Sequence, residues 1–66
     1  MKVKMIYLDY FETELEGKKY TIYQFVEPKT LNIFNGTNLK GTFVQYQEYT
    51  CELVLKKGKL KIINAQ

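Results

Sequence analysis

Apolar and polar positions alternate with a period of two along most of the 66-residue chain, and no stretch of about a dozen residues keeps helical spacing. The first strand is expected from Lys2 to Leu15, with Val3, Met5 and Tyr7 on one face and Ile6, Leu8 and Tyr10 on the other. Apolar groups on both faces of so long a segment describe a strongly bent barrel strand, with a bulge near Asp9 to Phe11 shifting its phase. Glu16-Gly17-Lys18-Lys19 reads as a hairpin turn in which Gly17 supplies the positive φ of a type II′ turn. A second strand returns from Tyr20 to Val26.

Glu27-Pro28-Lys29 breaks that strand, because proline has no N–H to give the ladder. A short third strand is expected from Thr30 to Phe34, an Asn35-Gly36 turn after it, and a connection from Thr37 to Gly41. The fourth, long β segment runs from Thr42 to Leu55, and Lys56-Lys57-Gly58-Lys59 forms a hairpin tip. The last strand covers Leu60 to Asn64, with Leu60 and Ile62 inward and Lys61 and Ile63 on the opposite side. The order long, medium, short, long, short predicts an all-β fold, a small five-stranded antiparallel barrel occupying residues 1–66 as one domain. The five-stranded oligonucleotide/oligosaccharide-binding (OB) barrel fits first, and an SH3-like barrel is the alternative.

Composition then narrows the function. A chain this short buries only about 60% of its unfolded surface, so it supports one small core and gains from pairing with a second copy. No apolar run approaches the ~20 residues that span a bilayer, and nothing after Met1-Lys2-Val3-Lys4-Met5 resembles a secretory signal, so a cytoplasmic protein is expected. The single Cys51 has no disulfide partner and reads as core filling. Histidine is absent, which removes the usual zinc sets and the commonest general base. Serine is absent too, and no glycine-rich phosphate loop is present. A non-catalytic binding protein without cofactor or metal is therefore expected.

The ten cations are all lysine against seven carboxylates, for a net charge of +3. Lys18-Lys19 and Lys56-Lys57-Lys59-Lys61 gather at two hairpin ends, where ammonium groups can follow a phosphate backbone and release its counterions. The six tyrosines and four phenylalanines exceed what so small a core can hide, so some rings reach the surface, where they can stack on unpaired bases. Tyr20 follows the lysine pair directly, and Tyr46 lies among polar neighbours. Glu12, Glu14 and Glu16 alternate on one strand face, which reads as a solvated acidic face with Lys19 as a cross-strand neighbour. The candidate nucleic-acid-binding residues are Lys18, Lys19, Tyr20, Tyr46, Lys57 and Lys59.

Gly17-Lys18-Lys19-Tyr20 resembles the Gly-Lys-x-Tyr turn that follows the first long strand in the small single-stranded DNA-binding proteins of bacteriophages and mobile elements, the filamentous-phage type in particular. The segment from Gly41 through Thr42-Phe43-Val44 to Lys59-Leu60-Lys61-Ile62-Ile63 is similar to that family's closing glycine, long strand, lysine/glycine tip and basic final strand. The resemblance implies an OB barrel that is dimeric and coats single strands without sequence preference, with Tyr20, Lys18 and Lys19 at the contact. The chain departs from the family in lacking arginine and in having only Glu27-Pro28-Lys29 where an extended DNA-binding hairpin is usual. The function expected is sequence-independent binding of single-stranded DNA or RNA. A protein–protein contact module, such as an assembly factor or inhibitor, is the alternative, in which surface tyrosines act as interface anchors.

Overall fold

Val3, Met5 and Tyr7 turn toward the interior from the first of five strands: β1 (Lys2–Leu15), β2 (Lys18–Val26), β3 (Ile33–Thr37), β4 (Glu48–Lys56) and β5 (Lys59–Ala65). The structure is a computed structural model describing residues Met1–Gln66. The strands close into a barrel in the order β1-β2-β3-β5-β4, with β4 returning to pair with β1. Every pairing is antiparallel except β3 with β5, which lie parallel with Gly36 opposite Ile62. One junction of the expected antiparallel barrel is thus parallel. It makes the barrel a Greek key, the OB-like arrangement; the meander of an SH3-like barrel would set β4 beside β3.

The bulge in β1 falls between Tyr7 and Asp9, slightly before the expected place, and leaves Leu8 as the extra residue. Its consequence is a change of face. Tyr7 pairs with Phe25, and past the bulge Tyr10 pairs with Tyr23, so Tyr10 shares the inward face of Tyr7 instead of opposing it. Beyond the bulge β1 and β2 continue together as a hairpin that outruns the barrel, pairing as far as Leu15 with Lys18. Its tip is Glu16-Gly17, with φ of 52° and 78°. Two positive φ values make a type I′ turn rather than type II′, and Lys57-Gly58, with 51° and 78°, repeats it between β4 and β5.

Three expected boundaries move. Asn35-Gly36 lies inside β3 and is no turn, since the glycine serves for close approach: a Cβ on Gly36 would stand 2.7 Å from Leu39 Cδ1. The turn before β3 is organised instead by Glu27. Its Oε1 accepts from Lys29 N–H and Thr30 N–H, and these bonds, led by the one from Lys29, hold its carboxyl below the usual range. The expected fourth strand loses its first six residues, because residues 42–47 form a strap and β4 begins at Glu48. The strap is held at both ends. Tyr46 N–H donates to Tyr7 O, Gln45 Nε2 donates to Leu8 O, and Val44 N–H donates to the Tyr49 hydroxyl.

Met5, Tyr7, Phe25, Leu39, Cys51, Leu53, Ile62 and Ala65 make the buried core, and Val3, Tyr23, Phe34, Phe43 and Tyr49 pack against it. Phe25 is the largest side chain fully enclosed, so its burial contributes about 1.5–3 kcal/mol relative to exposure. Around it the rings of Tyr7, Phe43 and Tyr49 lie 5.2, 5.5 and 6.2 Å away, tilted or edge-on as ring quadrupoles prefer. Leu60, expected inward, sits near the β4–β5 tip beyond the core and is 40% exposed.

Candidate nucleic-acid interface

Direct cross-strand partners in an antiparallel ladder share a face. On the hairpin, Phe11 pairs with Ile22, Thr13 with Tyr20 and Leu15 with Lys18, and on the next strand Ile22 pairs with Thr37, Gln24 with Asn35 and Val26 with Ile33. These residues form the outer face of β1, β2 and β3, opposite the core. An open groove of about 500 Å³ crosses this face, with Phe11, Ile22 and Ile33 on its floor and Lys59, Leu60 and Lys61 of β5 along one wall. No carboxylate lines it. Phe11 and Ile33 are 46% and 56% exposed, which is an unusual place for large apolar groups unless something covers them.

The six candidate residues divide by strand parity. Lys59 lines the groove. Tyr20 and Lys18 continue the groove's face outward along β2, Tyr20 beside groove-lining Thr13 and two positions from Ile22. Lys57 occupies the β4–β5 tip two residues from Lys59. Lys19 points to the opposite face, where its register partner is Glu14 and its neighbours are Glu12 and Thr13. Tyr46 belongs to the strap and not to a strand; it is 70% exposed and bonded to β1 at Tyr7, on the β1–β4 side of the barrel. The structure thus puts Lys59 in the groove and Lys18 and Tyr20 on the face that continues it, sets Lys57 in the turn next to Lys59, and leaves Lys19 and Tyr46 off that face.

Lys61, read in the sequence as part of the second lysine cluster but not among the six candidates, also lines the groove, as do Phe11, Ile22, Ile33 and Leu60, which were not marked as binding residues in the sequence. Their signal lay in the alternation itself. Phe11 and Leu15 continue the apolar pattern of β1 past the point where a small barrel has any interior left, so they have to cover something outside it. Glu12 and Glu14 share the other face of the hairpin, which separates them from the groove by the thickness of the sheet, while Asp9, paired with Gln24, is on the groove's side but outside its lining. No three His, Cys, Asp or Glu side chains gather into a metal-binding group, and no helix is long and apolar enough to cross a membrane. Comparison with family models, curated proteins and solved structures finds no match to any of them.

Proposed function

We propose that the protein binds single-stranded DNA or RNA without sequence preference, along the outer face of β2 and β3 between its two hairpins. The observation that carries this reading is the groove itself: an open channel with exposed apolar groups on its floor, Lys59 and Lys61 on its wall and no carboxylate. Lysine acts as a point charge on phosphate and lacks the fork with which arginine reads base edges, so recognition is directed at the backbone. Phe11 and Tyr20 offer rings to unpaired bases, a contact worth about 1–3 kcal/mol per base. A duplex hides its base faces and gains nothing from them. On the same reading the protein works in the cytoplasm during replication of a phage or mobile element, for which the Gly17-Lys18-Lys19-Tyr20 turn is the support.

Anisotropy of a labelled oligonucleotide, titrated at several salt concentrations, tests the proposal. The slope of log affinity against log salt should be about −0.7 per phosphate contacted. The Tyr20→Ala variant should weaken binding by about 1–3 kcal/mol at every salt concentration. Lys59→Ala with Lys61→Ala should flatten the slope by about 0.7 for each lysine. Lys4→Ala, on the β1–β4 side, should change little. Absence of binding at low salt ends the proposal. It would favour the second reading, protein contact, which rests on the apolar exposure of Phe11, Leu15, Ile33 and Leu60.

A further inference from the structure

The bulge at Leu8 and the strap meet at a second opening, on the face of the β1–β2 hairpin that the groove does not use. Tyr7, Tyr10, Tyr23 and Phe43 line it together with Gly41 and Thr42, around a volume of about 200 Å³. Pockets for larger ligands begin at about 300 Å³, so this one takes a single side chain or a single ring. Three of its aromatic groups form a corner: Tyr23 lies 6.2 Å from Tyr10 at 38° and 5.2 Å from Phe43 at 74°. Tyr10 is 54% exposed, so the corner is open to an incoming group.

The charge at its rim is negative. Glu12 is the next residue after Tyr10 on the same strand face, and Glu14 follows it. Lys19 stands opposite Glu14 and also neighbours Glu12, whose register partner is the uncharged Thr21, so two carboxylates share one lysine. Asp9, paired with Gln24, lies on the groove side of the hairpin and does not line the opening. Burial first, and Asp9 next, push the Tyr7 hydroxyl above its ordinary value, so the phenol at the pocket wall stays neutral. Lys40 precedes Gly41 in the strap and is exposed, but it does not line the opening. A phosphate-bearing group is repelled here, and a cation that can also lie flat on a ring is favoured.

We infer that the pocket of Tyr10, Tyr23 and Phe43, with Glu12 next to Tyr10 along the same strand face, receives an arginine side chain of a partner protein. Guanidinium is planar, stacks on aromatic faces, desolvates more readily than ammonium, and pairs with carboxylates through a fixed fork of donors. This chain has no arginine, so a second copy cannot supply the group and the partner is a different protein. The inference stands apart from the groove's ligand, because the two openings lie on opposite faces of the same hairpin.

The test is an NMR titration of the full chain with N-acetyl-arginine amide, read on the ring signals of Tyr10, Tyr23 and Phe43. A single side chain binds weakly, so a saturable shift with a dissociation constant of about 1–30 mM is expected. The neutral isostere N-acetyl-citrulline amide should bind about two- to fivefold more weakly, the usual worth of a cation on an exposed ring. Tyr10→Ala should abolish the response, and Glu12→Gln should weaken it while leaving oligonucleotide affinity unchanged or higher. Because Tyr10 and Glu12 are exposed, these variants keep the core intact. No saturable shift at 100 mM overturns the inference, as does an equal response to the citrulline amide. A larger response to adenosine also overturns it, and makes the pocket a base site.

Discussion

Cys51 and Gly36 show how differently single residues can be read. Cys51 was legible as core from its place in an apolar alternation, and it is fully enclosed, with its Sγ only 4.0 Å from Tyr49 O as a weak contact. Burial raises its thiol from an ordinary value of 9.0 to about 11. The folded protein therefore keeps this proton while the unfolded chain releases it. Stability is undiminished below about pH 9, falls as pH rises beyond it, and loses the whole contribution by about pH 11. Urea midpoints measured from pH 7 to 10.5 should drop at the alkaline end, and the drop should be smaller in Cys51→Ala measured against its own value at pH 7. Tyr7, also raised, steepens the same fall in both proteins. An equal alkaline drop in the two would show that the thiol has no part in it. Gly36 misled because glycine has two uses, a positive φ in a turn and a bare Cα where another group comes close, and the pair Asn35-Gly36 looks the same for both. Only the position of Leu39, fixed by the return of the chain, distinguishes them.

At the scale of elements, alternation located β1, β2, β4 and β5 well, because strand period is a property of neighbouring residues. It failed from Thr42 to Gln47. That stretch alternates like a strand, yet Phe43 is taken up by the aromatic cluster and Tyr49 ties down Val44, so the backbone follows the rings rather than a ladder. The two hairpin turns were legible in place, and the first, expected as type II′, is type I′. Both hairpins turn on a non-glycine residue in the left-handed region followed by a glycine at φ +78°. A Cβ on Gly17 meets nothing within 4 Å, so the cost of Gly17→Ala is conformational alone. It should lower stability by about 1–2 kcal/mol, the penalty of a left-handed L-residue. Glu16→Asn, which suits φ of 52°, should raise it slightly, as asparagine leads the preference at that turn position. Denaturant midpoints check both, and a neutral Gly17→Ala would mean that the hairpin tip reorganises to another turn. The same hairpin divides the candidate site: strand parity sends Lys18 and Tyr20 to one face and Lys19 to the other, a separation that a run of letters conceals.

For the whole molecule the difficulty is that little is enclosed. Nine residues of 66 are buried, while Leu15, Leu31, Ile33, Val44, Leu55 and Ile63 are each at least half exposed. A barrel of this size cannot face all its apolar groups inward, and such residues are covered most economically by another copy of the chain. Self-association through such faces and the proposed oligonucleotide binding would be separated by salt. Oligonucleotide binding loses affinity as salt rises, because each lysine contact depends on counterion release. Contact between apolar faces carries no such term, and it meets the mutual repulsion of two chains of charge +3, which salt screens. Self-association should accordingly hold or strengthen between 50 and 500 mM salt while oligonucleotide affinity falls. Sedimentation velocity from about 10 to 300 μM protein, at both salt concentrations, reads the first; anisotropy reads the second. A monomer throughout would mean that the exposed side chains are not covered by a second copy. A dimer that weakens with salt would mean that lysine and carboxylate faces hold it together. In that case Lys59→Ala with Lys61→Ala should disrupt the dimer and oligonucleotide binding alike, whereas apolar pairing leaves the dimer of that variant intact.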